Sequence, residues 1–380
     1  MSVDRLGLKW IEVDLDIFES NLKAMLSHSR AQSLIPVIKA DAYGHGATAL
    51  ARVSELMGLP MVAVATMDEA LALRRQFVKI PILVMGALPQ SAISDLITYR
   101  ITPTLCDREF AIVLQRQSRM LGRKTPFHLY VDSGMGRMGQ SPSELLTWVE
   151  ELKNLDHIFC EGVYSHFAVS DEIDEHSDQF TQQQIQRFLQ FVEKANLKGK
   201  LHLANSGAVI AHPESHLHYL RPGLLSYGIS PRGDHLSIEG VRPIMRLCCR
   251  PLIIKHMKAG DSIGYGRSFV LLQDSKVMTL PVGYADGIPR NLGPHLKVGY
   301  RDKLYPVVGR ICMDMMMVLI GEDDIPSDAE IVLLGQGALP IEDWSRDSGR
   351  IPYELLTGLG KRWSRCYLKG QQVVDIVRPE

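Results

Sequence analysis

Nowhere in the 380 residues does an uninterrupted apolar run reach the length of a membrane span, and the first ten residues lack the pattern of a secretory leader. Both absences argue against a membrane partner and make the cytoplasm the expected compartment. The six cysteines, Cys106, Cys160, Cys248, Cys249, Cys312 and Cys366, form no CxxC pair and no disulfide-framework spacing. The adjacent Cys248 and Cys249 read as strand filler rather than metal ligands. Charge of either sign is not in excess: the formal net charge is −1, which argues against nucleic acid or an anionic membrane as the main partner. Low-complexity linkers are absent, as is any repeat beyond a rhythm of short apolar runs and helical patterns.

What the chain does have is ample core. Apolar residues make up 46% and charged residues 22%, an ordinary globular balance, and the length suits two domains. The stretch 10–15 alternates apolar and polar residues, which predicts a half-buried strand, with Asp16 capping the helix that follows. Apolar runs then recur at 36–40, 61–66, 80–86, 101–106, 127–132, 159–167, 201–206 and 220–228. Helical patterns at 47–57, 67–77, 90–99, 108–119, 143–152 and 178–193 separate most of them. Eight strands alternating with helices predict a parallel (β/α)8 barrel of the TIM type over 1–240, although a doubly wound sheet shows the same alternation. After Gly240 the apolar runs are separated by turns, which predicts a mostly β C-terminal domain over 241–380 with one short helix in 352–363. The N-terminal strand is a candidate to pack on that β domain.

Barrels of this kind gather function at the C-terminal ends of their strands. The run Pro36-Val37-Ile38 ends in Lys39 and is followed by Tyr43, Gly44 and Gly46. A lysine there can be held partly desolvated, which frees the neutral amine for Schiff-base chemistry. Tyr43 and the backbone after Gly44 stand where a phosphate could sit near a helix start. Arg137 follows the fifth run, His166 stands at the end of the sixth and Ser206 at the end of the seventh, while Arg221 to Leu224 lie within and after the strand of the eighth. The last two positions coincide with the phosphate site that such barrels often build.

Two patterns point elsewhere and are set aside. Gly134, Gly136 and Gly139 match a dinucleotide fingerprint, but the acid about twenty residues on would be Asp156, which does not end a strand. The stretch 132–137 reads instead as a loop presenting Arg137, whose planar fork suits a carboxylate. His212, His216 and His218 read as a solvated loop rather than a metal site, and no metal is expected. In the β domain Tyr265 stands between Gly264 and Gly266. Its phenol can act as a base only beside positive charge or hydrogen-bond donors.

An ordered set of segments resembles the alanine racemases, which are fold-type III pyridoxal-phosphate enzymes, over nearly the whole chain. The segments are VIKADAYGHG (37–46), VDSGMGRMG (131–139), EGVYSHFA (161–168), ANSGA (204–208) and RPGLLSYG (221–228). They continue with IGYGRSF (263–269), VGYADG (282–287), GRICMDM (309–315) and IPYELLTGLGKR (351–362). The resemblance implies an isomerase that interconverts L- and D-alanine, supplies D-alanine for peptidoglycan and works as a bacterial, cytoplasmic homodimer. It implies that Lys39 carries pyridoxal 5'-phosphate and serves as the base for the D-enantiomer. Tyr265 of the partner subunit would be the base for the L-enantiomer. Tyr43, Ser206, Gly223, Leu224 and Tyr353 would hold the phosphate, and Arg221 would face the pyridine nitrogen with His166 behind it. Arg137 and the Met313 backbone would hold the substrate carboxylate, and Tyr284 would line the entrance.

Two departures stand out. Tyr130 occupies the position where many relatives carry a carbamylated lysine, and Met315 and Met316 stand where polar residues are common. Competing readings are a racemase of serine or lysine on the same scaffold, a fold-type III decarboxylase, and a pyridoxal-phosphate carrier or homeostasis protein. Arg221 speaks against the decarboxylase, which favours an acid at the pyridine. The second domain with Tyr265 speaks against the carrier, which resembles the barrel alone.

Overall fold

The computed structural model describes residues 7–233 and 238–379. They fall into two compact units: one takes 19–42 and 47–241, the other the residues up to Phe18, Tyr43–Gly46 and those from Arg242 onward. The first strand, β1 (Lys9–Asp14), belongs to the second of these units.

The barrel unit is built on eight short strands: β2 (Ser33–Leu34), β3 (Val62–Val64), β4 (Ile82–Val84), β5 (Thr102–Leu105), β6 (Thr125–Tyr130), β7 (Ile158–Tyr164), β8 (Lys200–His202) and β9 (Tyr219–Leu220). All pair in parallel, in the spatial order β2-β9-β8-β7-β6-β5-β4-β3. The sheet closes on itself beyond β2, where Val37 bridges Ala63 in parallel and the Ile38 amide donates to the Ala63 carbonyl at 2.8 Å. This is the expected (β/α)8 barrel. Buried Val62, Val64, Ile82, Val84 and Leu105 pack these strands on both faces, so the runs read as continuously apolar.

Several helices start where local chemistry dictates. Thr66 and Glu69 form a capping box ahead of helix Met67–Arg75, and Ser141 and Glu144 do the same ahead of Pro142–Leu146. The pattern at 143–152 yields two short helices, Pro142–Leu146 and Val149–Lys153, rather than one. The run 201–206 is strand only to His202, because the Asn205 side chain accepts from the Ala208 amide and opens helix Ser206–Ala211. The run 220–228 is likewise strand only at its start, giving way to a 3₁₀ turn over Leu224–Tyr227 that ends at Gly228 with φ 77°.

The other unit is mostly β, as expected. Its strands are β10 (Met245–Cys249), β11 (Ile253–Met257), β12 (Ser262–Ile263), β13 (Phe269–Val270), β14 (Ser275–Leu280), β15 (Lys297–Tyr300), β16 (Lys303–Val308), β17 (Met316–Gly321), β18 (Ile331–Leu334), β19 (Ser364–Lys369) and β20 (Gln372–Val377). Ten strands form one sheet, ordered β11-β14-β17-β16-β15-β18-β10-β1-β19-β20, and β12 pairs with β13 apart from it. Strand β1 runs antiparallel to β10 and parallel to β19. Because it is central, four successive residues of β1 are buried rather than alternate ones. Its Glu12 accepts there from Arg246 Nη1 at 2.6 Å and from Trp10 Nε1 at 3.1 Å, which offsets the cost of burying a polar group. The helix after β1 is capped by Asp14, whose Oδ1 accepts from the Ile17 amide at 2.9 Å, and not by Asp16. Asp16 accepts instead from the Gly370 amide. The helix expected within 352–363 spans Pro352–Thr357, with proline at its first position.

Candidate active site

Seven of the expected residues follow the C-terminal ends of barrel strands: Lys39 after β2, Arg137 after β6, His166 after β7, Ser206 after β8, and Arg221, Gly223 and Leu224 after β9. Lys39 does not end a regular strand. It opens a left-handed turn in which Ala40, Asp41, Ala42 and Tyr43 all hold φ between 50° and 53°. Non-glycine residues in this region each cost about 1–2 kcal/mol, so the turn must be imposed from outside. Glu69 Oε1 accepts from the Ala40 amide at 2.7 Å, Asp41 Oδ1 from the Ala47 amide at 2.8 Å, and the Ile38 carbonyl from the Ala42 amide at 2.9 Å. Glu69 Oε2 meanwhile takes the Ala65 amide at 2.7 Å. One carboxylate thus ties the backbone after Lys39 to the end of β3.

The Lys39 amine titrates below the usual lysine range, because burial and the cations Arg137 and Arg221 disfavour its proton while Glu69 opposes them. His166 is held well below the usual histidine range by burial first, then by Arg221, Arg137 and Lys39. A neutral His166 accepts at Nδ1 from Arg221 Nη2, 3.3 Å away. The same Nη2 donates to the Ser165 carbonyl at 2.6 Å, so the buried guanidinium is anchored at the end of β7. Ser206 Oγ accepts from the Gly223 amide at 2.9 Å and the Leu225 amide at 3.2 Å. Its own hydrogen is thereby left to donate, as an anion requires, while the Gly223 N–H serves the serine. The Arg137 loop takes its shape from Asp132, whose carboxylate accepts from the amides of Gly134, Met135 and Gly136 at 2.8–3.1 Å.

The remaining expected residues lie in the β-rich unit. Tyr43 is buried there with its ring centroid 5.7 Å from that of Tyr353. Arg365 Nε donates to the Gly44 carbonyl at 2.9 Å. Tyr284 and the Met313 segment are joined by backbone: the Tyr284 amide donates to Cys312 at 3.0 Å and the Ala285 amide to Met313 at 2.9 Å. A Cβ at Gly283 would lie 2.3 Å from both carbonyls, which makes glycine obligatory at that approach. Tyr265 stands apart from these pairs, 71% exposed on a turn where Gly264 and Gly266 hold φ of 69° and 70°.

The chain also matches two family models, the alanine racemase N-terminal domain over residues 13–231 and the alanine racemase C-terminal domain over 244–367. It belongs to the alanine racemase family. Alanine racemase 1 of Clostridium acetobutylicum is 36% identical over 379 residues, 97% of each chain. The solved alanine racemase of Clostridium difficile 630 superposes with a TM-score of 0.90 at 32% identity, covering 100% of this chain and 99% of that one. A solved alanine racemase of Bartonella henselae, described as carrying covalently bound pyridoxal phosphate, superposes with a TM-score of 0.83 at 27% identity, over 95% of this chain and 100% of that one.

Within this alanine racemase chain, Tyr130 is buried and its phenol is pushed above the ordinary tyrosine range, mainly by that burial. Met316 is fully buried in β17 and points to the core, whereas Met315 is exposed. His212 and His216 are buried rather than solvated: His216 Nε2 lies 3.1 Å from the Val209 carbonyl, and His212 Nδ1 is 3.4 Å from Glu214. Glu12, Cys248 and Glu330 come within metal-ligand reach of one another, but Arg246 pairs with both carboxylates at 2.6 and 2.7 Å and supplies the cation there. Sequence reasoning passed over Glu69 and Asp132 as site-building residues. The Thr66-x-x-Glu69 capping signature and the Asp132-Ser-Gly turn were the available signals.

Proposed function

We propose that this protein is a pyridoxal-phosphate alanine racemase whose proton-transferring groups are Lys39 and Tyr265. The observation that carries the reading is Lys39 at the barrel mouth, its ammonium disfavoured by burial and by Arg137 and Arg221. The donor set suits the cofactor: a lysine ready to be neutral, a serine hydroxyl left free to donate to phosphate, and the Tyr43–Tyr353 pair as further phosphate partners. Arg221 would face the pyridine nitrogen, with His166 accepting from it. The Bartonella henselae relative's covalently bound pyridoxal phosphate supports the same assignment.

Bound in this way, pyridoxal phosphate would acidify the Cα–H of an amino acid by delocalising the charge left behind. Arg137 and the Met313 backbone hold the substrate carboxylate, which fixes the face that Cα presents. Lys39 Nζ takes or returns the proton on one face. Tyr265, from the partner subunit of a homodimer, does so on the other. Inversion follows because the two bases serve opposite faces. Arg221 disfavours a proton on the pyridine nitrogen, since two cations at hydrogen-bond distance repel, and this limits side reactions such as transamination. Tyr284 lines the entrance. The protein works in the bacterial cytoplasm and supplies D-alanine for peptidoglycan. Incubation with L-alanine in heavy water should give D-alanine carrying α-deuterium. Parallel incubations with serine and lysine test the nearest rivals. Faster inversion of either one, or no deuterium at Cα, would overturn the assignment.

A further inference from the structure

Arg221 is anchored along its edge, but nothing in the proposed function explains what supports the flat face of its guanidinium. Its Cζ lies 5.0 Å from the centroid of the Tyr164 ring. That ring is fixed twice. On one side it stacks on His202, with centroids 4.7 Å apart and planes 9° from parallel. At its tip the hydroxyl meets Thr104 Oγ1 at 2.7 Å. Thr104 spends its own hydrogen on the Val84 carbonyl at 2.8 Å, so the tyrosine is the donor in that bond. Tyr164, Thr104 and His202 are all buried inside the barrel.

His202 is held in turn from below. His128 Nδ1 lies 2.8 Å from His202 Nε2, and His128 Nε2 lies 3.5 Å from Glu161 Oε2. Burial keeps both histidines below their ordinary range, so the pair is neutral and each ring carries one N–H. The Glu161 carboxylate favours the His128 tautomer protonated at Nε2. His128 Nδ1 is then the acceptor, and the proton between the rings belongs to His202 Nε2. A continuous column runs from Glu161 through the two histidines and the Tyr164 ring to Arg221.

We propose that Tyr164 is a positioning residue, the aromatic platform that holds the Arg221 guanidinium in place to meet the pyridine nitrogen of the cofactor. The inference rests on the cofactor assignment above. A cation over an aromatic face is attracted by the ring quadrupole, more strongly where water is excluded, as it is here. The ring supplies this attraction and the Thr104 bond fixes its position.

The test strips the full chain of pyridoxal phosphate and titrates the cofactor back, reading the dissociation constant and the visible absorption of the bound cofactor. Tyr164→Leu should weaken binding about tenfold, equivalent to about 1.4 kcal/mol. It should also alter the absorption band, because the charge beside the pyridine nitrogen moves. Tyr164→Phe keeps the platform and should recover the wild-type band with only about threefold weaker binding. Thr104→Val removes one of the two bonds of the Tyr164 hydroxyl and leaves the 3.3 Å bond to the Met85 carbonyl. It should therefore weaken binding no more than the phenylalanine variant, and the two together should be no worse than the phenylalanine variant alone. Leucine and phenylalanine variants that bind alike, or a leucine variant with wild-type constant and spectrum, would overturn the proposal. Where the leucine variant yields no folded protein, wild-type binding in both Tyr164→Phe and Thr104→Val overturns it. A wild-type chain that takes up no pyridoxal phosphate would instead sink the cofactor assignment.

Discussion

At the residue scale the question is when Lys39 becomes a nucleophile. Burial, Arg137 and Arg221 all act against its proton, so the neutral amine appears at lower pH than on an exposed lysine. Borohydride reduction of the cofactor-loaded protein should therefore fix pyridoxal phosphate on the peptide containing Lys39, and fixation on another lysine would contradict the assignment. Glu69 supplies the opposing charge while holding the Ala40 and Ala65 amides. Glu69→Gln removes that charge, so the Lys39 proton should leave at still lower pH. The pH–rate profile for imine formation in the cofactor-free chain should shift downward, and stability should fall by about 1–2 kcal/mol from the weakened bonds to the turn. An unchanged or upward-shifted profile would mean that Glu69 does not act on Lys39 electrostatically.

At the scale of elements, what was legible in the chain depended on whether local chemistry and tertiary demand agreed. The barrel strands could be seen because strands buried on both faces need unbroken apolar runs, and their helices because helical patterns separate those runs; the caps at Thr66, Asp107 and Asp174 that start three of them were not used. Strand ends were overrun wherever apolar residues continued into a helix, as at Ser206, since hydrophobicity does not distinguish the two. The exposure of β1 was misjudged because Glu12 looks like a solvent-facing residue until Arg246 pairs with it. The left-handed turn after Lys39 left little signal: of its residues only aspartate visits that region with any frequency, and one bond that imposes it comes from Glu69, distant in sequence. That mismatch predicts an inverted substitution effect. Ala40 is exposed with φ 50° and ψ 51°, so Ala40→Gly relieves a left-handed alanine. It should stabilise the protein by about 0.5–1 kcal/mol after allowing for the looser unfolded chain, where glycine for alanine in an ordinary helix would destabilise by a similar amount. Urea unfolding midpoints of the two proteins decide it. A lower midpoint in the variant would mean that the turn carries no such strain.

At the scale of the whole molecule, the proposed bases belong to different compact units, Lys39 to the barrel and Tyr265 to the β-rich unit. The β-rich unit exposes several large apolar side chains: Tyr265 at 71%, Leu272 at 95%, Met313 at 53% and Tyr284 at 41%. In the homodimer proposed above, Tyr265 would reach the partner's Lys39. Separate Lys39→Ala and Tyr265→Phe proteins then lack one base at every site, and each should be nearly inactive. In a mixed dimer, one site combines both defects while the other combines an intact Lys39 with an intact Tyr265. Unfolding the two variants together and refolding them should therefore recover part of the wild-type activity, approaching about a quarter when dimers form at random and each intact site works independently. Mixing the folded variants without subunit exchange should recover none. If each site drew both bases from one chain, every site in the mixture would keep a defect, and refolded mixed dimers would stay as inactive as their parents.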